Sequence, residues 1–355
     1  MPSLGRCGKA IPSALFSLDS YDIIIASRLC PIFKTLLLCP HLFLNISKVV
    51  IMNNSKTILV VGATGFLGME ICRQLTSAGK NVRGLTRITS DPSRVDALKQ
   101  MGVETVIGDI KDSESLSAAM NDIAAVISTA SSTLSHVQGD SIQSVDRDGQ
   151  LNVVRAATNS GVEKFVFISF NESPESFPLQ DAKREVEQQL KQSGMDYTIL
   201  QPTFFMDIWL SPAIGFDFPN HKATIYGEGK NKISFIAIRD VAAFAVASLD
   251  NPEATNASIE LGGPQALSPL EVVKIFEQRG VPFEVIHVPE EALRAQKNAS
   301  TEPLQQSFAA LMLNYSRGAD IDMHDQLKKF GIQPTSVADY SKEVMERTAV
   351  VNEVS

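Results

Sequence analysis

An α/β fold with a parallel, doubly wound sheet is what this sequence predicts, and three observations carry the expectation. A short apolar run, Thr57-Ile-Leu-Val-Val61, passes straight into Gly62-Ala-Thr-Gly65-Phe-Leu-Gly68 and then into a segment of helical apolar spacing. Further short apolar runs follow at intervals, each separated from the next by a helix-like stretch. The length of 355 residues, with 44% hydrophobic and 20% charged, suits one large α/β domain or such a domain with a smaller lobe.

The first run is mostly apolar and β-branched, as expected of a strand buried on both faces. The helix after it starts near Met69 and stops at Gly79. Between them the glycines have separate tasks. Gly62 permits the tight turn, Gly65 lets a pyrophosphate approach the backbone, and Gly68 lets the helix pack closely on the strand. Backbone N–H groups at the positive end of the helix then face the phosphates, so Thr64, Phe66 and Leu67 join the glycines as candidate cofactor contacts. The setting between strand and helix makes this a Rossmann-type dinucleotide site; the alternative is an ordinary tight βα turn.

The second strand, Asn81–Thr86, ends in Arg87. An NAD-preferring site usually has an acid at this place to hold the ribose hydroxyls. A guanidinium there pairs instead with a 2′-phosphate, which favours NADP(H) and leaves NAD(H) possible if Arg87 is only a surface residue. A helix over Ser93–Met101 leads to a strand at Glu104–Ile107, which ends in Gly108-Asp109-Ile110. A helix over Ser113–Met120 leads to a strand at Ala125–Ser128, which ends in Thr129-Ala130-Ser131. A longer helix covers Val145–Ser160, and Lys164–Ser169 is the fifth strand. Ligands bind beyond the carboxyl ends of such strands, which places Asp109 and Ile110 near the adenine and Thr129, Ala130 and Ser131 near the inner ribose.

Charge and cysteine content exclude other classes. A net charge of -8 and no Lys/Arg-dense run after Met52 argue against nucleic acid as a partner. Cys7, Cys30 and Cys39 precede Met52 and only Cys72 follows it, a pattern of a reducing compartment without structural disulfides. Cys72 reads as a small buried helix residue. No metal-ligand spacing links His136, His221, His287 and His324.

Residues 1–51 form an extension of different character. Its apolar stretch, Thr35–Ile46, is broken by Pro40, His41 and Asn45, leaving about a dozen residues, short of the ~20 of a membrane span. Three readings stay open: a start at Met52 with a mis-called or disordered extension, an organelle-targeting segment supported by Arg6, Lys9 and Arg28, or a membrane anchor. The corresponding expectation is a cytoplasmic protein, or an organelle-targeted one, without an integral membrane span. The remainder divides into a nucleotide-binding core over residues 52–200 and a mixed region over 201–355.

Beyond the glycine loop, the chain carries GDIKD at Gly108, DGQLNVVRAATNSGVEKFVFIS from Asp148, SGMDYTILQPTFFM from Ser193, IAIRDVAAFAVASL from Ile236 and IELGGPQALSPLEV from Ile259. With these motifs it resembles the NmrA-like, isoflavone-reductase-like group of atypical short-chain dehydrogenase/reductases. That resemblance implies a small C-terminal α/β lobe closing over the nicotinamide. It also implies a catalytic pattern that is only partly present. Ser169 and Lys183 match, but Leu179 stands where such enzymes with standard chemistry carry a Tyr, and Asp146 where a catalytic Asn is common. Without a phenol to relay a proton, ketone–alcohol interconversion and sugar epimerisation of the usual kind are disfavoured. Isoflavone-reductase-type enzymes are similar in keeping the Lys alone, so hydride transfer stays open. The resemblance places the Lys183 ammonium on the nicotinamide ribose, and Pro202 and Phe205 beside the nicotinamide, with Gln201 where the family often has Arg. Phe204, Phe205, Met206 and Trp209 are expected either to line an apolar cleft or to form lobe core, and Phe170–Leu179 to form a loop over that cleft. The expected function is an NADPH-dependent reductase of a small apolar, aromatic or quinone-like acceptor. The alternatives are a non-catalytic NADP(H) sensor acting on a protein partner, and an assembly factor that uses the cofactor for stability.

Overall fold

The computed structural model describes residues 56–278 and 281–354, within a compact unit that runs from Ser55 to Ser355. The readings made for residues 1–51 lie outside the described residues. Seven strands form one sheet in the order β3-β2-β1-β4-β5-β6-β9, and every pairing in it is parallel. They are β1 (Thr57–Val61), β2 (Val82–Thr86), β3 (Glu104–Ile107), β4 (Ile123–Ser128), β5 (Lys164–Ile168), β6 (Asp196–Pro202) and β9 (Ala257–Leu261). The doubly wound α/β expectation holds, and the chain reverses direction across the sheet between β1 and β4, where a ligand crevice opens.

Strand β1 shows why the sheet is covered on both faces. Ile58 and Val60 enter one core with Ile71 and Leu75 of helix α1 (Phe66–Ser77) and Phe244 of a later helix, Ile238–Ser248. Leu59 and Val61 point the other way, to Leu116, Val153, Phe165, Phe167 and Val186. A strand alternating into two cores has no polar position, which is why its sequence reads as a continuous apolar run. Cys72 is fully buried in the first core, and burial pushes its thiol up to about 12.

Three of the boundaries that differ from expectation bear on the site. The helix expected from Val145 starts earlier, as a π-helical segment, Ile142–Gly149, capped by Ser141 and continued by the α-helix Gln150–Asn159. A Cβ on Gly149 would lie 2.7 Å from Cγ1 of Ile110, so the glycine marks where this segment presses on the turn after β3. Strand β6 extends through Gln201 and Pro202, because they pair with Glu260 and Leu261 of β9, a partner distant in sequence. The loop after β5 ends at Phe177; Leu179 belongs to helix α5 (Pro178–Lys191), which has Pro178 in its first turn.

After β6 the chain builds a smaller layer. Strands β7 (Phe216–Asp217), β8 (Lys222–Tyr226) and β10 (Glu284–Val288) form a second sheet, ordered β10-β8-β7. Phe216, Ile225, Phe235, Phe276 and Tyr315 share the core beneath it. Ser268 and Glu271 make a capping box at the helix Pro269–Glu277. The Asp240 carboxylate, in the first turn of Ile238–Ser248, accepts hydrogen bonds from Thr335 N (2.7 Å) and Oγ1 (3.1 Å), tying that helix to the C-terminal segment.

Candidate functional site

One cavity of about 680 Å³ lies at the carboxyl ends of the strands. At one end it is walled by the glycine loop, at the other by Phe170, Phe204, Phe205, Trp209, Phe308 and Leu311. Of the sequence-predicted positions, Gly62, Thr64, Gly65, Phe66, Leu67, Arg87, Asp109, Ile110, Thr129, Ala130, Ser131, Ser169, Lys183, Pro202 and Phe205 all line it. Gly68 does not, because it lies beneath the loop. A Cβ there would come 2.1 Å from the Gly62 carbonyl oxygen. Met206 is fully buried in the lobe core, so the expected cleft quartet is a trio of Phe204, Phe205 and Trp209.

The glycine loop has the shape of a phosphate cradle. Gly62 has φ +85°, and a Cβ on it would meet Thr129 Oγ1 at 2.7 Å and Ala130 N at 2.8 Å. Gly65 caps α1 without any side chain to bond the first-turn N–H groups. These donors face the cavity with the helix dipole behind them, as an anionic pyrophosphate requires.

Beyond the carboxyl end of β2, Arg87 Nη1 donates to Asp140 Oδ2 (2.7 Å). Asp140 also accepts from Lys111 Nζ (2.6 Å) and Ser135 Oγ (2.5 Å). Burial disfavours its charge, yet the hydrogen bonds from Lys111, Ser135 and Arg87 and the Arg87 charge hold its carboxyl down at about 2. Arg94 donates to the Thr64 carbonyl (2.7 Å) and lies over the Phe66 ring.

The middle of the cavity holds the polar groups. Lys183 is buried, and its Nζ donates to the Ile168 carbonyl (3.1 Å). Burial lowers its pKa, the charges of Asp146 and Glu187 oppose that, and Arg184 adds to it. Ser169 Oγ donates to Glu187 Oε1 (2.5 Å), a buried carboxylate that also accepts from Arg184 and from Gln201 Nε2 (3.4 Å). With its proton committed, the hydroxyl offers the cavity an acceptor. Leu179 lines the cavity at the position of the absent phenol. Asp146 is turned away; its Oδ2 accepts from Ser132 N (3.0 Å) and Oγ (2.5 Å).

Several lining residues carried no sequence signal. Ser135 and Asp140 come from the segment after β4, and Phe308, Leu311, Asn314 and Arg317 from the helix Pro303–Arg317. Helical periodicity identifies an apolar face but not the surface opposite it. Glu175, in the loop after β5, accepts from Arg317 (2.5 Å), Lys297 (3.0 Å) and Arg294 (3.3 Å), closing that loop against the C-terminal helices.

Known proteins resemble this chain over most of its length. It is 31% identical to a photosystem II assembly factor of Synechocystis, across 82% of this chain and 91% of that protein. It is 34% identical to an NAD(P)H azoreductase of Xenophilus azovorans, across 61% of this chain and 71% of that enzyme. Among solved structures, the NADPH complex of an NADPH-dependent quinone oxidoreductase from Escherichia coli superposes with a TM-score of 0.65 at 22% identity, covering 81% of this chain and 99% of that one. The family model described as the NmrA-like family matches residues 54–340, and the chain belongs to that family.

Proposed function

We propose that this protein is an NADPH-dependent reductase of a small apolar or aromatic acceptor, quinone-like in character. The observation that carries the reading is the single cavity joining an uncapped glycine cradle to an aromatic wall, with the Lys183 ammonium between them. The similarity to an azoreductase, and the fold shared with a quinone oxidoreductase solved with NADPH, support the same reading.

In this reading the first-turn N–H groups of α1 hold the pyrophosphate, and Arg87 faces the 2′-phosphate. Asp109 and Ile110 border the adenine, while Thr129, Ala130 and Ser131 border the inner ribose. Pro202 and Phe205 pack beside the nicotinamide. When bound, NADPH supplies the hydride. Lys183 uses one N–H on the Ile168 carbonyl, which leaves two for ribose hydroxyls or an acceptor oxygen. Its positive charge stabilises negative charge developing on that oxygen. Ser169 contacts the ligand as an acceptor, because its proton is held by Glu187. With Leu179 in place of a phenol, the proton that completes the reduction comes from solvent. A quinone needs only that: one hydride and one proton yield the hydroquinone.

Leu179 and the similarity to a photosystem II assembly factor together favour a second reading, a dinucleotide-binding protein that serves a protein partner without turnover. The two part on one experiment. Titrate the full chain with NADPH and NADH, then follow NADPH absorbance against a panel of quinones and azo compounds. Acceptor-dependent oxidation, lowered about tenfold or more by Lys183→Ala, is the result expected of the reductase. Tight NADPH binding with no oxidation across the panel refutes it in favour of the second reading.

A further inference from the structure

The cations at the adenosine end are not idle in the absence of ligand. Arg87 and Lys111 both bond the carboxylate of Asp140, whose side chain is only 3% exposed. Arg87 uses Nη1 for that contact, and its backbone N–H is bonded to Ser90 Oγ. Asp140 lies on the cavity wall beside Arg87, Ser90 and Ser135. Other charges face the same corner. The Asp109 carboxylate accepts from Lys111 N (2.9 Å) and lies 3.7 Å from Lys111 Nζ, and the Arg94 guanidinium is bonded to the Thr64 carbonyl. Three cations therefore share the corner with two carboxylates, and the more buried carboxylate sits on Arg87 itself.

A ribose 2′-phosphate brought to Arg87 meets Asp140 as a like charge and competes with it for Arg87 and Lys111. A ribose 2′-hydroxyl meets the same carboxylate as a hydrogen-bond acceptor, the service that an acid at the end of β2 performs in NAD-preferring sites. No acid occupies that place here, since β2 is followed by Arg87. Both effects act in one direction.

We propose that Asp140 is a specificity-determining residue that restrains the preference for NADPH over NADH, by occupying Arg87 and Lys111 and offering an acceptor to an unphosphorylated ribose. The inference rests on the reading that Arg87 faces the 2′-phosphate. It deepens that reading by supplying the acid from the segment after β4 rather than from β2.

The test is equilibrium binding, independent of turnover. Dissociation constants for NADPH and NADH, and for 2′,5′-ADP and ADP, are measured on the full chain and on Asp140→Asn, Asp140→Ser and Arg87→Ala. Circular dichroism shows that each variant is folded, and Asp140→Ser serves if the asparagine variant is not. The expected result is a rise of about tenfold or more in the preference for the 2′-phosphorylated ligand of each pair when Asp140 is replaced. Arg87→Ala is expected to lower that preference. An unchanged or reduced preference in the Asp140 variants, with Arg87→Ala still lowering it, overturns the role of Asp140 alone. If Arg87→Ala leaves the preference of the parent chain unchanged, the 2′-phosphate reading fails, and the proposal fails with it.

Discussion

Two glycines in the same loop should separate stability from binding. In Gly68→Ala the new Cβ would lie 2.1 Å from the Gly62 carbonyl oxygen, 2.7 Å from its carbon and 2.9 Å from Ala63 Cα. All three atoms are backbone, so relief requires the loop or the helix to move. Overpacking of this kind costs up to about 3 kcal/mol at its usual upper end. Alanine's better helix propensity offsets roughly 1 kcal/mol, which leaves a net loss of about 2 kcal/mol. In Gly65→Ala the Cβ approaches nothing closer than the Gly62 carbonyl oxygen at 3.2 Å, and φ is -75°, ordinary for alanine. Its stability cost should stay under ~1 kcal/mol, the scale of a poorer N-cap. The new methyl, however, stands in the proposed path of the pyrophosphate, and NADPH affinity should fall tenfold or more, at least ~1.4 kcal/mol. Urea unfolding midpoints and fluorescence titration with NADPH read the two effects. If Gly68→Ala unfolds within ~0.5 kcal/mol of the parent, the close approach of α1 to the loop is not what makes that glycine necessary. If Gly65→Ala binds NADPH as the parent does, the cradle does not hold the pyrophosphate.

Lys183→Met should leave the melting temperature at pH 7 equal or higher, because it replaces a buried ammonium, which forms no ion pair among the described residues, by an apolar chain of similar length. The sign follows from the lowered pKa. Below its folded value the charged form weighs fully against folding, and the penalty fades as pH climbs from that lowered value to the ordinary 10.5, so the advantage of Met should shrink over that interval and be gone above it. A loss of more than ~1 kcal/mol at pH 7 would show that the hydrogen bond to the Ile168 carbonyl outweighs desolvation. Asp140 has the opposite sign. Its carboxyl is held at about 2 against an ordinary 3.8, so it contributes roughly 2 kcal/mol above pH ~4, lost as pH falls toward 2. Acid unfolding of Asp140→Asn should show a correspondingly flatter limb, and an unchanged limb would mean that the ion pair with Arg87 and Lys111 is not formed in solution.

Local chemistry wrote the nucleotide end of this protein into its sequence. A strand buried on both faces has no polar position, a phosphate cradle has no room for Cβ atoms, and both constraints act on neighbouring residues. The strand Thr57–Val61, the loop from Gly62 to Gly68, the end of β2 at Arg87 and the alternating units after it were therefore readable in order. Lys183 was legible only through resemblance to a family, since a lysine beside Arg184 on a helix looks like any solvated pair. Its burial depends on packing against Phe167 and Ile168 of a different element. The tertiary structure alone decided the rest. It committed the Ser169 proton to Glu187, eighteen positions later in the chain. It brought the helix Pro303–Arg317 to the far wall and extended β6 by pairing with β9. It set Asp140 on Arg87 across more than fifty residues. Contacts of that separation follow from how layers stack and where loops cross the sheet, and no periodicity of 3.6 or 2 along the chain encodes them.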